Sequence, residues 1–385
     1  MVPKLRFKEF CGEWDEKTIG DIAEIYKGNV LSKSDLRDEG HPCILYGELY
    51  TKYGEIIEKV YSKTNRADKN LFIGKINDVL IPSSGETAID ISTASCLKCD
   101  NVYIGGDLNV IRCNNVNGSF LSYTLNHKQR NSIAKFAQGV SVVHLYGDSL
   151  RKLKINIPSL PEQTKIAHFL CTVDDKIQNQ QDKITHLENI KKGFMQKIFS
   201  RKIRFKNDGG DEFPEWEEKK LGDIADIKKG TQLSKSEISD NGKYYHLNGG
   251  INPSNYTDKF NVEKNTISIS EGGNSCGYIN WNKERFFSGG HNYTIQNLIN
   301  IIDKYYLYQY LKYNQKKIMR LRVGTGLPNI QQKDLNIFIV KFPCLKEQQK
   351  IADFLSLFDE KISTEKETLE HLKELKKGLL QQMFV

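Results

Sequence analysis

PSLPEQTKIAHFLCTVDDKIQNQQDKITHLENIKKGFMQKIF, residues 158–199, returns 185 positions later as PCLKEQQKIADFLSLFDEKISTEKETLEHLKELKKGLLQQMF, residues 343–384, with 19 of the 42 positions identical. In the first copy Ile166, Leu170, Val173, Ile177, Ile184 and Leu187 follow one another in steps of three, four or seven, and Phe194 and Ile198 continue the series. The second copy keeps the register with Ile351, Leu355, Phe358, Ile362, Leu369 and Leu372. A 3.5-residue period held for about five heptads is the pattern of a coiled-coil seam. Gln180 and Glu365 interrupt the two seams at equivalent positions, where polar residues set register at a cost in stability. Pro158 and Pro343 leave each helix to start just downstream. Glu162 and Glu347 then lie in the first turn and the KKG triplets at 191–193 and 376–378 toward the other end, the charge order that complements a helix dipole. About 38 residues make a rod of roughly 55 Å. A lone rod would strand its apolar stripe in water, so the two pack together, and the chain that returns between them favours an antiparallel pair.

The segments outside the helices repeat as well. IGDIAEIYKGNVLSKSDL, residues 19–36, matches LGDIADIKKGTQLSKSEI, residues 221–238, and LRFKEF at 5–10 resembles IRFKND at 203–208. Trp14 and Trp216 stand five residues ahead of these GDIA blocks. The order is unit, helix, unit, helix, a tandem duplication whose two copies imitate the symmetry of a homodimer. The fold class expected is α+β: two similar globular domains, 1–157 and 201–342, separated and joined by two long antiparallel coiled-coil helices, 158–200 and 343–385. Runs such as DVLIPSS, LNVIRC, NTISISEGG and YTIQN between Gly, Asn and Asp turns predict twisted sheets with long loops. An amphipathic helix is expected in each unit, over FLSYTLNHKQRNSIAKFAQG and YYLYQYLKYNQKKIMRLRVG.

Length and composition agree with this division. The 385 residues carry 38% hydrophobic and 27% charged side chains and a mean hydropathy of −0.53, as folded water-facing domains do. No apolar run approaches the roughly 20 residues of a bilayer span, and the opening MVPKLRFKEF is charged where a signal peptide is apolar, so no membrane partner and a cytoplasmic location are expected. The eight cysteines lack the spacing of a disulfide scaffold. Cys96 and Cys99 form one close pair, but a structural zinc site needs four ligands and the second pair is missing. No metal is expected.

The net charge is +8. The two helical segments hold thirteen lysines against thirteen acidic residues, so the whole excess lies in the globular units. That is the distribution of units that touch phosphate while the rods hold them apart. Lys128, Arg130, Lys135, Lys312, Lys316, Lys317, Arg320 and Arg322 on the amphipathic helices are candidates for phosphate contact.

The loops supply the candidates for reading bases, because amides, hydroxyls and basic groups match base edges. In the first unit these are Lys33 and Ser34, Tyr46 and Glu48 in YGELYTKYG, Ser83, Ser84, Glu86 and Thr87 in IPSSGETAID, and His144. In the second they are Lys235 and Ser236, Asn248, Asn252, Ser254, Asn255 and Tyr256 in HLNGGINPSNY, and Asn274 and Ser275 in SEGGNSCG. Trp281, His291, Asn292, Tyr293, Thr325 and Asn329 complete the set. The helix framing repeats while these loops do not, as expected of two modules that read different sequences.

Chemistry of the chain's own is not indicated. NPSNY at 252–256 differs from the NPPY loop of amino-methyltransferases at the middle and by one extra residue, and no glycine-rich donor loop accompanies it. GGNSCG at 272–277 lacks the Lys-Ser/Thr end of a phosphate loop, and the histidines form no HExxH pair. No catalytic residue is assigned.

EQTKIAHFL and EQQKIADFL with the following DDKI and DEKI, the paired GDIA blocks, and SISEGGNSCGYINW are similar to the specificity subunits of type I restriction-modification systems, over essentially the whole chain. The resemblance implies that each globular unit is a target-recognition domain reading one half of a split, asymmetric duplex DNA target, and that the helices act as a ruler for the spacer. It implies that Glu162, Gln163, Ile166, Phe169 and Leu170, with Glu347, Gln348, Ile351, Phe354 and Leu355, belong to helices that dock two methyltransferase subunits. Restriction subunits join in such systems; S-adenosylmethionine, ATP and magnesium belong to the partners, with no cofactor in this subunit. The alternatives are a non-catalytic coiled-coil scaffold and a self-contained adenine methyltransferase.

Overall fold

The computed structural model describes residues 1–385 except 69, 325 and 327. Two helices dominate it, Leu160–Phe199 and Leu345–Met383, at the two segments the repeat marks. The chain divides into two compact units that cut across these helices: residues 1–181 with 368–385, and residues 182–367. Each unit thus owns one half of each helix.

Within each unit the halves run antiparallel. In the second unit Lys183 pairs with Glu365, Glu188 with Lys366, Lys191 with Asp359, and the Phe194 ring meets Phe354 at 5.1 Å, so numbers rise on one helix as they fall on the other. In the first unit Asp174 meets Lys376, and Ile166 and Leu170 share a core with Leu380, Met383 and Phe384. Among the seam residues Ile166, Leu170, Val173, Ile184, Ile351, Leu355, Ile362 and Leu369 are buried, while Ile177, Leu187, Phe358 and Leu372 are half-buried. The seam leans on the globular parts wherever these are close.

The first unit is built on a five-stranded sheet in the order 23–27, 108–113, 78–82, 95–97, 56–57, antiparallel except for the last pair. A second five-stranded sheet, 36–37, 63–64, 41–44, 102–104, 72–74, carries the outer part. The second unit repeats the plan with fewer strands: 226–229, 292–296, 266–270, 279–282, all antiparallel, beside 255–257, 244–247, 287–288. Asp78–Pro82 and Thr266–Ser270 are buried at every position, as central strands must be. In both units the strand ahead of the GDIA turn pairs with the strand that enters the long helix, Asp15 opposite Ile157 and Glu217 opposite Phe342.

The glycine after Lys27 and Lys229 has one cause in both copies. A Cβ on Gly28 would overlap the carbonyl oxygen of Gly105, and one on Gly230 that of Gly289. Only glycine lets the two backbones approach so closely.

The amphipathic stretches are each two helices rather than one. The first comprises Gly118–His127 and Arg130–Phe136, broken where the Gln129 amide reaches back to the Thr124 carbonyl. The second comprises Lys304–Tyr313 and Gln315–Met319, broken at the buried Asn314, whose side chain donates to the Tyr310 carbonyl and competes with the helix for it.

The first unit's core includes residues from both ends of the sequence: Phe384 packs against Phe120 at 5.5 Å and Trp14 at 6.4 Å, and the Leu5 amide donates to the Gln382 carbonyl.

Candidate nucleic-acid interface

The repeated Glu-Gln pair fixes the start of each long helix to its own unit. Glu162 and Gln163 are 1% and 2% exposed, and Glu347 and Gln348 are fully buried. Arg6 grips Glu162 in a two-point ion pair, Nε to Oε1 2.7 Å and Nη2 to Oε2 2.8 Å, and the Trp14 indole donates to Oε1 at 3.4 Å. Arg204 holds Glu347 in the same way, Nη2 to Oε2 at 2.8 Å and Nε to Oε1 at 3.3 Å. Gln163 accepts from the Asn117 amide and donates to the Pro158 carbonyl. Gln348 accepts from the Asp303 amide and donates to the Pro343 carbonyl. Asn117 and Asp303 are the N-caps of the helices at 118 and 304. These four side chains are therefore consumed within the chain and are not surface for a partner.

A second repeated contact lies further along. In the first unit Lys376 bridges Asp174 at 2.6 Å and Glu55 at 3.2 Å, and the Tyr123 hydroxyl donates to Asp174 at 2.6 Å. In the second, Lys191 meets both oxygens of Asp359 at 2.7 Å, and Tyr305 and Gln309 donate to the same carboxylate. The lysines are those of the two KKG triplets, so these residues join helix to helix and helix to unit.

Lys312, a candidate for phosphate contact, is turned inward instead. Its ammonium donates to the Ile279 carbonyl and Gln315 and sits 3.8 Å from the centre of the Tyr278 ring. Burial, reinforced by nearby Lys191 and opposed by Asp359, pushes its pKa down to about 8 from 10.5. A base whose folded pKa lies below its unfolded value leaves the unfolded chain holding more protons between the two, so stability rises with pH there. Urea unfolding from pH 7 to 10.5 is expected to show the parent gaining stability relative to Lys312→Met above pH 8, and parallel curves would refute the inward charge.

The loops group around the ends of the central strands. In the second unit Asn248, Gly249, Glu271, Gly272, Gly273, His291, Pro328, Asn329 and Lys229 line one concavity. Its frame recurs in the first unit. The Ile330 amide donates to the Glu271 carbonyl at 2.8 Å, as the Leu145 amide does to that of Ser83 at 2.9 Å. Tyr293 stands opposite Lys229 and its hydroxyl donates to the Ile330 carbonyl; Asn109 stands opposite Lys27 and its amide donates to that of Leu145. Asn329 bridges Gly272 as His144 pairs with Ser84. The places filled by Lys27, Ser83, Asn109 and His144 in one unit hold Lys229, Glu271, Tyr293 and Asn329 in the other.

Of the candidates for reading bases, Asn248, His291 and Asn329 meet in this concavity, and His144 takes the matching place in the first unit. Lys33, Ser34, Glu86, Thr87, Lys235, Ser236, Asn252, Ser254 and Asn274 are exposed on the loops and their short turns, and Tyr256 is exposed on the strand 255–257. Others are committed inside. Glu48 is 6% exposed and accepts from Lys52 and the Leu45 amide. Asn292, 1% exposed, donates to Ser288, and Tyr293 faces Glu271. Ser83 and Ser84 are buried, Ser275 donates to the Gly249 carbonyl, and Asn255 pairs with His246. Tyr46 is half-buried beside a core cluster, and Trp281 packs edge-on against Tyr305 and tilted against Tyr308, outside the lining of the concavity. Thr325 lies outside the described residues. Lys229 and Glu271 were not among the candidates, although each repeat places a lysine just before the invariant glycine, in YKG and KKG.

Cys96 is buried in the first unit's core, and among the described residues no three potential metal ligands converge. Among them, too, no helix is long and apolar enough to cross a membrane.

The comparisons with known proteins meet this architecture. The family model of the type I restriction modification DNA specificity domain matches twice, over residues 12–189 and 214–374. A putative type I specificity subunit of Mycoplasma genitalium is 41% identical over 149 residues, 38% of this chain and 39% of that protein, and one of Mycoplasma pneumoniae is 41% identical over 164 residues. The match spans about two fifths of the length of each of these relatives. The putative MjaX specificity subunit of Methanocaldococcus jannaschii is 26% identical over 98% of this chain and 94% of its own. The crystal structure of a type I S subunit from M. genitalium has the same fold, with a TM-score of 0.73 at 22% identity over 100% of this chain and 99% of that one. Two copies of one domain model on two copies of one frame place the chain in the type I restriction-modification DNA specificity family.

Proposed function

We propose that this chain is the sequence-specific DNA-binding subunit of a type I restriction-modification complex, each globular unit reading one half of a bipartite, asymmetric duplex site. The observation that carries the reading is the repeated frame with different linings. Lys27, Ser83, Asn109 and His144 occupy the places of Lys229, Glu271, Tyr293 and Asn329, so one scaffold carries different buried supports and exposes Lys27 and His144 in one unit, Lys229 and Asn329 in the other. The charge excess lies mainly in the second globular part, +6 over residues 201–342 against +2 over residues 1–157, and supports phosphate contact there most strongly.

The long helices set the spacing between the halves and dock two methyltransferase subunits. The buried Glu-Gln pairs leave that task to the outward faces, where Leu357 and Leu375 are more than half exposed. Methylation and cleavage belong to the methyltransferase and restriction subunits with their S-adenosylmethionine, ATP and magnesium, and this chain is non-catalytic. Such a complex works on DNA in the cytoplasm.

Selection of bound sequences from random duplexes, with the chain purified alongside its cognate methyltransferase subunit at two salt concentrations, tests the reading. A split motif with a fixed spacer is expected; an unsplit motif or none would favour a scaffold. Exchange of residues 37–138 for those of another family member is expected to change one half of the motif and leave the other, and changes in both halves would contradict independent reading.

A further inference from the structure

In the second unit's concavity a buried carboxylate holds a half-exposed ammonium. Glu271, its side chain 10% exposed, takes Lys229 at 2.5 Å on Oε1, while its other oxygen lies 3.4 Å from His291 Nδ1. The Tyr293 hydroxyl donates to Oε1 at 3.1 Å, and the Lys229 ammonium lies 6.0 Å from the centre of the Tyr293 ring. His291 is itself placed, its amide donating to Asn248 Oδ1 at 3.0 Å. Lys229 is 48% exposed, so its ammonium is fixed on one side and open on the other.

An ammonium has three protons. With one given to Glu271, two remain on the open side. A lysine that serves as a phosphate clamp works as a free point charge, whereas here a fixed carboxylate cancels much of the field a phosphate would feel and repels the phosphate itself. A neutral partner with two adjacent acceptors suits the arrangement better. In the major groove guanine presents N7 and O6 side by side, while adenine pairs one acceptor with a donor. The first unit has Lys27 but Ser83 in place of Glu271, so the arrangement belongs to the second unit alone.

We propose that Lys229 reads the O6 and N7 edge of a guanine in the half-site of the second unit, with Glu271 as its positioning residue. The inference rests on the DNA-reading function proposed above and goes beyond it by naming the base edge and the residue.

The test is the same selection, run on the full chain with its methyltransferase subunit for the parent, Lys229→Met, Lys229→Met with Glu271→Gln, Glu271→Gln and Glu271→Asp. The second unit's half-site is the half left unchanged by the exchange of residues 37–138. The parent is expected to show a guanine there. Lys229→Met, and equally Lys229→Met with Glu271→Gln, which leaves no buried carboxylate without its cation, should lower the preference for that guanine about ten- to a hundredfold. Glu271→Gln should weaken the same preference and Glu271→Asp restore part of it, with the first half-site and the spacer unchanged, which a merely destabilised unit would not produce. A split parental motif without a guanine in that half overturns the inference alone. So does uniform weakening of Lys229→Met across all sequences with a salt slope reduced by about one, the behaviour of a phosphate contact. No split motif from the parent overturns the inference together with the reading beneath it.

Discussion

Arg204→Ala is expected to destabilise the second unit by about 3–5 kcal/mol, the cost of leaving a buried carboxylate without its cation. Glu347 is fully buried, and its cation is Arg204, 15% exposed, which also donates to the Phe213 and Pro214 carbonyls. The change therefore strands a charge and frees the segment that leads into the unit. Replacing the pair together, Arg204→Met with Glu347→Leu, should recover most of the loss, because apolar groups of similar volume do not need the missing partner. Urea unfolding followed by the fluorescence of Trp216 and Trp281 measures both. A loss below about 1 kcal/mol, the range of exposed ion pairs, would show that the pair does not anchor the helix.

Asp359→Ala should cost about 2–4 kcal/mol, because it leaves the buried Lys191 ammonium without its half-buried anion. Lys191 has an 11% exposed side chain, and burial already pushes its pKa below the ordinary lysine value, against the pull of Asp359. Removing Asp359 also takes the acceptor from Tyr305 and Gln309, so the helix pair and the unit loosen together. The double variant Asp359→Ala with Lys191→Met separates the two effects. A coupling energy above about 1 kcal/mol is expected for groups in one network, and strict additivity would mean that Lys191 does not depend on Asp359.

The helices and the duplication were legible because they are periodic and local. A 3.5-residue stripe and a repeat at 185 and 202 positions are properties of the sequence itself. The roles of Glu162 and Glu347 were not. Their place in the first turn suggested a dipole effect, yet the partner that buries Glu162 is Arg6, 156 residues away in the chain. Loop residue types misled in a related way. Asn292, Tyr293, Ser83 and Glu48 have the chemistry of base readers, but their side chains point into the fold, and residue type alone does not state direction. Lys229 and Glu271 went unread because their meaning is the 2.5 Å between them, where one ends a strand and the other follows one 42 positions later. Asn314 breaks its helix without Gly or Pro, through a side-chain bond that the amphipathic pattern does not announce.

That Leu380, Met383 and Phe384 complete the core around Trp14 and Phe120 has a consequence for synthesis. The second unit, residues 182–367, is made entirely before them. At about 5–20 residues per second, the ribosome needs roughly 10–40 s to pass from the first helix to the residues that close the first unit. Through that interval the face of Trp14 and Phe120 that Phe384 covers lacks its partner and is aromatic surface for chaperones or neighbouring nascent chains to bind. The later-made half of the protein is the first whose core residues have all been made.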